Sequence, residues 1–171
     1  MTSPARGLIC VSVAADTGES LLAATASVLP LIDVVEIRLD AMRDPCVEHC
    51  IAALGKPVLI TTRPLWEGGQ WSGSEEERIE LLCQGLRWGA RYADIELKAA
   101  PALHAKVQET AHQHNARVIV SSHDFHGTPD AGQLHATLAR MMACGADIGK
   151  IVTTATSPAE ALRVLALQEA A

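Results

Sequence analysis

Six short apolar runs recur along the chain, and a longer segment with a different pattern separates each run from the next. In the longer segments apolar residues lie three and four positions apart, as Ile79, Leu82 and Leu86 do, which is the spacing of one helix face. The runs are nearly continuous in apolar content, as expected for parallel strands covered on both faces. The alternation therefore predicts βα units on a parallel sheet. The predicted strands are GLICVSV (7–13), DVVEIRL (33–39), KPVLITT (56–62), YADIEL (92–97), ARVIVSS (116–122) and IGKIVTT (148–154).

Local signals support this division into strands and helices. Ser74 precedes three glutamates and is predicted to cap a helix whose first turn is acidic. Ser157 followed by Pro158 predicts the start of the last helix. The longest predicted loop, 63–74, contains two of the three tryptophans. Loops of this length in α/β proteins tend to be functional.

The number of units sets the fold class. Six βα units are fewer than the eight that close a (β/α)8 TIM barrel, which typically needs about 250 residues. The 171 residues therefore predict one domain, 1–171, that is either an open α/β sheet or an incomplete barrel.

Composition excludes several classes of protein. Hydrophobic residues make up 49% of the chain, enough for a sizeable core, and the net charge of −6 argues against a nucleic-acid partner. The N-terminal residues do not resemble a signal peptide, and no apolar stretch is long enough to span a membrane. A cytoplasmic protein without a membrane partner is expected.

The cysteines indicate free thiols. Their number, five, is odd, and the chain is expected to be cytoplasmic, so a disulfide framework is not predicted. Cys46, His49 and Cys50 resemble half of a metal site, but no second half with matching spacing follows. We expect Cys46 and Cys50 to share one buried helix face, with no metal and no cofactor.

Polar side chains collect at the carboxyl ends of the predicted strands, where ligands bind in parallel α/β proteins. The period of two places Glu36, Arg38 and Asp40 on one strand face. Charges inside a sheet are expensive unless paired, so this pattern indicates either a structural ion-pair network or a pocket for a small hydroxylated anion. The other polar residues at strand ends are Ser12, Arg63, Glu67, Glu96, Lys98, Ser121, Ser122, His123, Asp124 and Lys150.

Lys150 is the sharpest chemical signal in the chain. It lies in the apolar run DIGKIV, where a desolvated amine can attack a carbonyl, although a lysine at a strand end can also simply reach solvent. A histidine, a glutamate and two arginines share its presumed face. An amine nucleophile, a general acid/base and groups that hold an anion are the set that Schiff-base chemistry requires.

Five motifs, in order and with closely similar spacing, resemble those of type I 3-dehydroquinate dehydratases. The resemblance covers the chain from about residue 8 onward. It implies a TIM barrel and a hydro-lyase that converts 3-dehydroquinate to 3-dehydroshikimate in the shikimate pathway, toward chorismate and the aromatic amino acids. The motifs are EIRLD (36–40), TTRPLWEGG (61–69), DIEL (94–97), SSHDFHGTP (121–129) and GADIGKI (145–151).

The resemblance also implies a role for each matching residue. Lys150 matches the lysine that forms the Schiff base, His123 the general acid/base, and Glu67 the glutamate that positions the histidine. His126 has no catalytic counterpart and is expected to be a loop residue. No metal or other cofactor is implied. Residues that match substrate contacts are Ser12, Glu36, Ile37, Arg38 and Arg63.

The sequence departs from the family pattern after the sixth unit. The family's seventh and eighth strands, whose loops carry an arginine, a serine and a glutamine that contact substrate, have no counterpart here. We therefore expect open edges at the first and sixth strands, exposed apolar residues, weakened substrate affinity and a homodimer.

Three functions stay open on the sequence. The chain is a type I dehydratase whose active form needs more chain than these 171 residues, a non-catalytic remnant or binding module with the same fold, or another Schiff-base lyase such as a class I aldolase. The set of five motifs argues against the last.

Overall fold

All six predicted apolar runs form strands. The computed structural model of the protein describes residues 7–169. Each observed strand begins at the first residue of its predicted run or one to three residues after it. Most strands end close to the predicted last residue. The fifth strand is longer than predicted and includes His123. The strands are β1 (Cys10–Val13), β2 (Val34–Arg38), β3 (Val58–Thr61), β4 (Tyr92–Glu96), β5 (Arg117–Asp124) and β6 (Ile148–Thr153).

A helix follows every strand, and capping side chains fix several of the helix starts. Ser74 and Glu77 form a capping box at the start of the third helix, and Ser157 caps the sixth, with Pro158 in its first turn, so both predicted helix starts are confirmed. These side chains satisfy amide groups that have no partner inside the helix. The helices are α1 (Gly18–Thr25), α2 (Glu48–Leu54), α3 (Glu75–Arg87), α4 (Pro101–Gln113), α5 (Ala131–Ala143) and α6 (Pro158–Leu165).

The strands form one parallel sheet in the order β1-β2-β3-β4-β5-β6. The sheet is strongly curled. The Lys150 amine on β6 lies only 3.6 Å from the Glu36 carboxylate on β2. Four strand spacings would separate these strands by about 19 Å in a flat sheet. Within residues 7–169, β1 and β6 each pair with one strand only and not with each other. The described chain therefore has the predicted architecture, six βα units of a TIM barrel with two open edges.

The two faces of the sheet have different environments. The outer face packs against the helices, and its largest cluster of buried side chains includes Ile37, Ile60, Leu82 and Ile95. The concave inner face has a small apolar cluster at the amino end of the strands and ionisable side chains at the carboxyl end. The small cluster contains Val34, Leu59, Ile119 and the partly buried Tyr92.

Exposed apolar residues occur on the open edges, as the sequence predicts. Leu8 and Ile9 at β1 are 65% and 49% exposed, and Ile148 and Val152 on β6 are each 38% exposed. Exposed apolar surface next to unpaired strand edges favours association with another chain.

Two local expectations about the polar segments are wrong. Asp40 does not continue the β2 strand face, because Leu39–Ala41 turns into a short 3-10 helix that brings the carboxylate back toward Arg38. Cys46 does not share the buried face of Cys50, since it lies before the first residue of α2 and is exposed. All five cysteines are free thiols, as expected.

The long loop 63–74 is compact. A 3-10 turn at Leu65–Glu67 is followed by Gly68 at a positive φ of 77°, and a bridge pairs Pro64 with Trp71. Gly69 lies so close to the backbone that a Cβ there would be 2.0 Å from the Arg63 carbonyl oxygen. This close approach folds the loop back over the carboxyl end of β3.

Gly85 should be required where α3 crosses β3. A Cβ at this position would lie 2.4 Å from Ile60 Cδ1, so Gly85→Ala should lower the free energy of unfolding by about 1–3 kcal/mol despite the better helix propensity of alanine. Urea unfolding would measure the loss. Ile60→Val removes the clashing methyl group, and adding it to Gly85→Ala should recover part of the loss. Strictly additive effects of the two substitutions would contradict this explanation.

Candidate active site

Lys150 is held on the inner face of the sheet by two carboxylates. Its amine donates a hydrogen bond to Asp94 Oδ2 at 3.1 Å and lies 3.6 Å from Glu36 Oε1. The Lys150 side chain is still 31% exposed, because one side of the amine faces open space. The sheet therefore presents a lysine amine that is fixed on one side and accessible on the other.

That open space is a cavity of about 560 Å³ on the concave face. Its size is in the range of small-molecule sites. Ser12, Glu36 and Lys150 provide its polar groups, and the apolar residues of the inner face provide its floor. The cavity can thus accept a small molecule with a polar and a less polar side.

His123 lies on β5, next to the strand that carries Lys150. Lys150 pairs in register with Ser121, and His123 is two residues further along the same face of β5, about 7 Å along the strand. The imidazole is 12% exposed and stacks on Phe125, with 6.1 Å between ring centroids. The histidine and the lysine therefore face the same end of the curled sheet.

Glu67 contacts His123 from the long loop. One carboxylate oxygen, Oε1, accepts the His123 backbone N–H at 2.7 Å and lies 3.4 Å from Nδ1 of the ring. Burial raises the pKa of Glu67, but the contacts with His123 and the nearby charge of Lys98 outweigh burial and leave the pKa below its usual value. An ionised Glu67 can fix the orientation of the imidazole and stabilise its protonated form.

His126 has a different environment. It is exposed, and its backbone N–H donates to Asp124 Oδ1 in the turn after β5. It is a loop residue, as predicted.

Arg38 and Asp40 hold the long loop in place. Arg38 donates two hydrogen bonds to the Asp40 carboxylate, at 2.9 and 2.7 Å, and Asp40 in turn accepts the backbone N–H groups of Arg63 and Gln70. Burial raises the pKa of Asp40, but the bonds from Arg38, Arg63 and Gln70 keep the pKa below its usual value. The carboxylate therefore links the ends of β2 and β3 to the loop that carries Glu67.

Arg63 lies beneath the cavity, and its guanidinium contacts three polar side chains. Its side chain is only 4% exposed, with Nη2 at 2.8 Å from Asp94 and Nη1 at 2.6 Å from Glu96 and 2.7 Å from Ser121. Arg78, which is completely buried in α3, approaches the other Glu96 oxygen to 2.5 Å. These residues are the ion-pair network that the sequence left open as one interpretation.

Glu96 is the least stabilised charge of this network. Burial raises its pKa to about 7, with Asp94 adding to the increase and Arg63 and Arg78 opposing it. His104 of α4 is nearby, and burial lowers its pKa. Neither ring nitrogen of His104 has a hydrogen-bond partner within the described part of the chain.

The structure places five of the predicted site residues in two groups. Lys150, Glu36 and Ser12 line one cavity, while His123 and Glu67 form a pair on the adjacent strand end. Two predicted substrate contacts are placed differently. The Ile37 side chain is fully buried on the helix side of the sheet, so only its backbone faces β1 and β3. The guanidinium of Arg63 already binds protein groups. Their roles as substrate contacts stay predictions.

Asp94 and Arg78 were not singled out from the sequence. Asp94 precedes Glu96 by two positions in an apolar strand, so the period of two was a signal that both carboxylates share the inner face. Arg78 lies four residues before Leu82 on the buried face of α3, an unusual position for an unpaired arginine. Both patterns indicated buried charges with partners.

Residues 7–169 contain neither a metal-binding cluster nor a membrane-spanning helix. No group of three or more histidine, cysteine, aspartate or glutamate residues there could hold a metal ion. None of the helices in this range has the length and apolar content needed to cross a membrane.

Comparisons with known proteins identify the family of the chain. A family model described as type I 3-dehydroquinase matches residues 9–171. A similar curated protein is the 3-dehydroquinate dehydratase of Desulfotalea psychrophila, which is 37% identical over 161 residues, covering 94% of this chain and 71% of that protein.

Solved structures give the same result. A type I 3-dehydroquinate dehydratase from Clostridium difficile superposes with a TM-score of 0.87 at 26% identity, covering 94% of this chain and 68% of that one. A 3-dehydroquinate dehydratase from Enterococcus faecalis superposes with a TM-score of 0.84 at 31% identity, covering 93% of this chain and 71% of that one.

Glu96 should make stability fall as the pH rises. Because its pKa is about 7 in the folded protein and about 4.5 when unfolded, the folded state binds more protons between these values, so deprotonation weakens folding across this window. Glu96→Gln removes this effect. The stability of the variant relative to wild type should improve by about 2 kcal/mol between about pH 5 and pH 8 in urea unfolding.

The control for this prediction is Glu80→Gln, which changes a surface carboxylate whose pKa is lowered by Lys106 and Arg87. Its effect on stability should not vary with pH in the same window. A Glu96→Gln effect that is also independent of pH would mean that the two arginines keep Glu96 ionised throughout.

Proposed function

The chain belongs to the type I 3-dehydroquinase family, and we propose that it dehydrates 3-dehydroquinate to 3-dehydroshikimate by way of a Schiff base on Lys150. This hydro-lyase reaction is a step of the shikimate pathway. The observation that carries the proposal is that Lys150 and His123 lie on the same face of adjacent strands, with Glu67 of the long loop against His123.

Lys150 supplies the nucleophile. The neutral amine attacks the ketone carbon of the substrate, a C–N bond forms, and the ketone oxygen leaves as water after proton transfer. The product is an iminium that carries one positive charge. An iminium withdraws electrons more strongly than a ketone, so it acidifies the adjacent C–H bond and does the work that a Lewis acid would otherwise do.

His123 moves the proton. As a neutral imidazole it accepts the proton from the carbon next to the iminium, and as an imidazolium it gives a proton to the departing hydroxyl, which leaves as water. Histidine suits both steps because its unperturbed pKa, about 6.5, is close to neutral pH. Hydrolysis of the iminium then releases the product and restores Lys150.

The remaining site residues are proposed to hold the substrate or the histidine. Glu67 positions His123 through the contact with Nδ1. Ser12 and Glu36 face the cavity beside Lys150 and can bind substrate hydroxyl groups. Arg38, Arg63 and the backbone of Ile37 are proposed contacts as well, although both arginines must then share their guanidinium groups with Asp40, Asp94 or Glu96.

The cytoplasm is the proposed location of this enzyme. All five cysteines are free thiols, and free thiols persist in a reducing compartment. The small-molecule substrate is the only partner that the site chemistry requires.

A borohydride trap tests the proposed reaction. The chain should form an imine with 3-dehydroquinate, and reduction should fix an adduct that mass spectrometry locates on Lys150. The other three lysines, Lys56, Lys98 and Lys106, are internal controls and should stay unmodified. Folded protein that gives no adduct would favour a non-catalytic role, and an adduct with small aldol substrates but not with 3-dehydroquinate would favour an aldolase.

Variants of the two histidines separate binding from proton transfer within the same experiment. His123→Ala should still form the adduct but lose turnover by about a hundredfold or more, the usual contribution of a general acid/base. His126→Ala should retain turnover, because His126 is an exposed loop residue. Equal losses in the two variants would contradict the assignment of roles.

We also propose that the chain forms a homodimer through the apolar residues of its open edges and of α6, where Leu162 and Leu165 are 64% and 57% exposed. Light scattering should give twice the mass of one 18.1 kDa chain. Leu165→Glu should shift the mass toward that of the monomer, whereas Leu31→Glu, at an exposed leucine in another element, should not. A monomeric wild-type chain at micromolar concentration would overturn this proposal.

A further inference from the structure

Asp94 occupies the centre of the polar network beneath the cavity, and neither the sequence motifs nor the proposed reaction steps give it a role. Its side chain is completely buried on the inner face of β4. Oδ2 lies 3.1 Å from the Lys150 amine and 2.8 Å from Arg63, and Oδ1 accepts a hydrogen bond from Ser121 at 2.5 Å. Three neighbouring strand ends thus converge on one carboxylate.

We propose that Asp94 is the positioning residue of Lys150, which aims the amine into the cavity and remains as the anion opposite the iminium nitrogen. This inference rests on the proposed Schiff-base function of Lys150. It adds a residue that acts through the lysine amine, with which Asp94 Oδ2 forms a hydrogen bond.

Asp94 is better suited to this role than Glu36, the other carboxylate near the amine. Glu36 is 3.6 Å from Lys150, beyond a normal hydrogen bond, and its Oε1 already accepts the hydroxyl of Thr61 at 2.7 Å. A lysine side chain has a flexible stem of four carbons, so a rigid partner is needed to fix its amine. Arg63 and Ser121 provide that rigidity by holding both oxygens of Asp94.

The charge of Asp94 is fixed by the same neighbours. Burial raises its pKa, but Arg63, Lys150 and Ser121 outweigh burial and hold the pKa below its usual value. Asp94 therefore stays ionised and does not exchange protons with the substrate. The charged groups around it are Arg63 after β3, Lys150 on β6, Glu36 on β2, Glu96 on β4 and, behind Glu96, Arg78 on α3.

The fixed negative charge of Asp94 lies opposite a positive charge both before and after imine formation. Lys150 carries one positive charge as an ammonium, and the iminium nitrogen at the same position carries one as well. Between them, the ammonium must release a proton to solvent before the neutral amine attacks. An ionised Asp94 thus faces a cation before imine formation and again in the iminium, and it stabilises both.

The two effects make opposite predictions for Asp94→Asn, which keeps the shape and removes the charge. Lys150 should be labelled by acetic anhydride at lower pH than in wild type, with a midpoint shifted by about one pH unit. The rate of borohydride-trappable imine formation with 3-dehydroquinate should nevertheless fall about tenfold or more. Mass spectrometry resolves all four lysines, so Lys56, Lys98 and Lys106 report any general change in structure.

A matched control removes a neighbour of Asp94 without changing its charge. Ser121→Ala deletes the hydroxyl that contacts Oδ1, so the labelling midpoint of Lys150 should stay at the wild-type value. The proposal would be overturned if the labelling midpoint of Lys150 shifted in Ser121→Ala. It would also be overturned if Asp94→Asn had the same midpoint as wild type. A rise in Lys150 labelling at every pH, with no change of midpoint, would also overturn it, because loss of packing alone has that signature.

Asp94→Glu keeps the test decisive if the asparagine variant does not fold. It retains the charge and lengthens the side chain, so the labelling midpoint should match wild type while imine formation slows about tenfold, since the amine is displaced. Imine formation at the wild-type rate would overturn the positioning role. The labelling uses no substrate, so a shifted midpoint with no adduct in wild type would overturn the dehydratase function and leave the coupling of Asp94 to Lys150 supported.

Discussion

The guanidinium of Arg63 forms ion pairs with both Asp94 and Glu96, two carboxylates that β4 presents to the inside of the curled sheet. Removing one partner from a buried ion pair typically costs about 3–5 kcal/mol, because the remaining charge is left without compensation. The position of Lys150 depends on this balance, since Asp94 can hold the amine only while Arg63 shares its charge. The polar end of the sheet is thus a single electrostatic unit, in which the ion pairs of Arg63 support the position of Lys150.

This unit has two layers with different tasks. The upper layer contains Lys150 and Glu36, which line the cavity, and Asp94 beneath them, and it includes a partly exposed cation. The deeper layer contains Glu96 and Arg78, which are inaccessible to a ligand and set the charge beneath Arg63. The interpretation of the polar strand residues as a structural network is therefore correct for Arg63, Glu96 and Arg78, while their interpretation as a binding pocket stays a prediction.

The sequence predicts the parts of this protein that depend on local pattern. Hydrophobic periodicity predicts the six strands, and capping residues predict the helix starts at Ser74 and Ser157. The order and spacing of the motifs around Lys150 and His123 indicate the family. What could not be predicted depends on contacts between distant segments. Asp40 leaves the strand face because it binds amide groups of the long loop, and Arg78 tolerates burial only because β4 brings Glu96 to it. A single sequence shows the residue types but not these partners.

The order of the strands has a consequence for the assembly of the site. Every strand pairs only with its neighbour in the sequence, so the sheet can grow from one unit to the next without first joining distant parts of the chain. Chains emerge from the ribosome from the N-terminus, so Glu36, Arg63 and Asp94 are synthesised before Lys150. Until β6 pairs with β5, the carboxylates of Glu36 and Asp94 lack the Lys150 amine, which lies 3.6 and 3.1 Å from them in the folded structure.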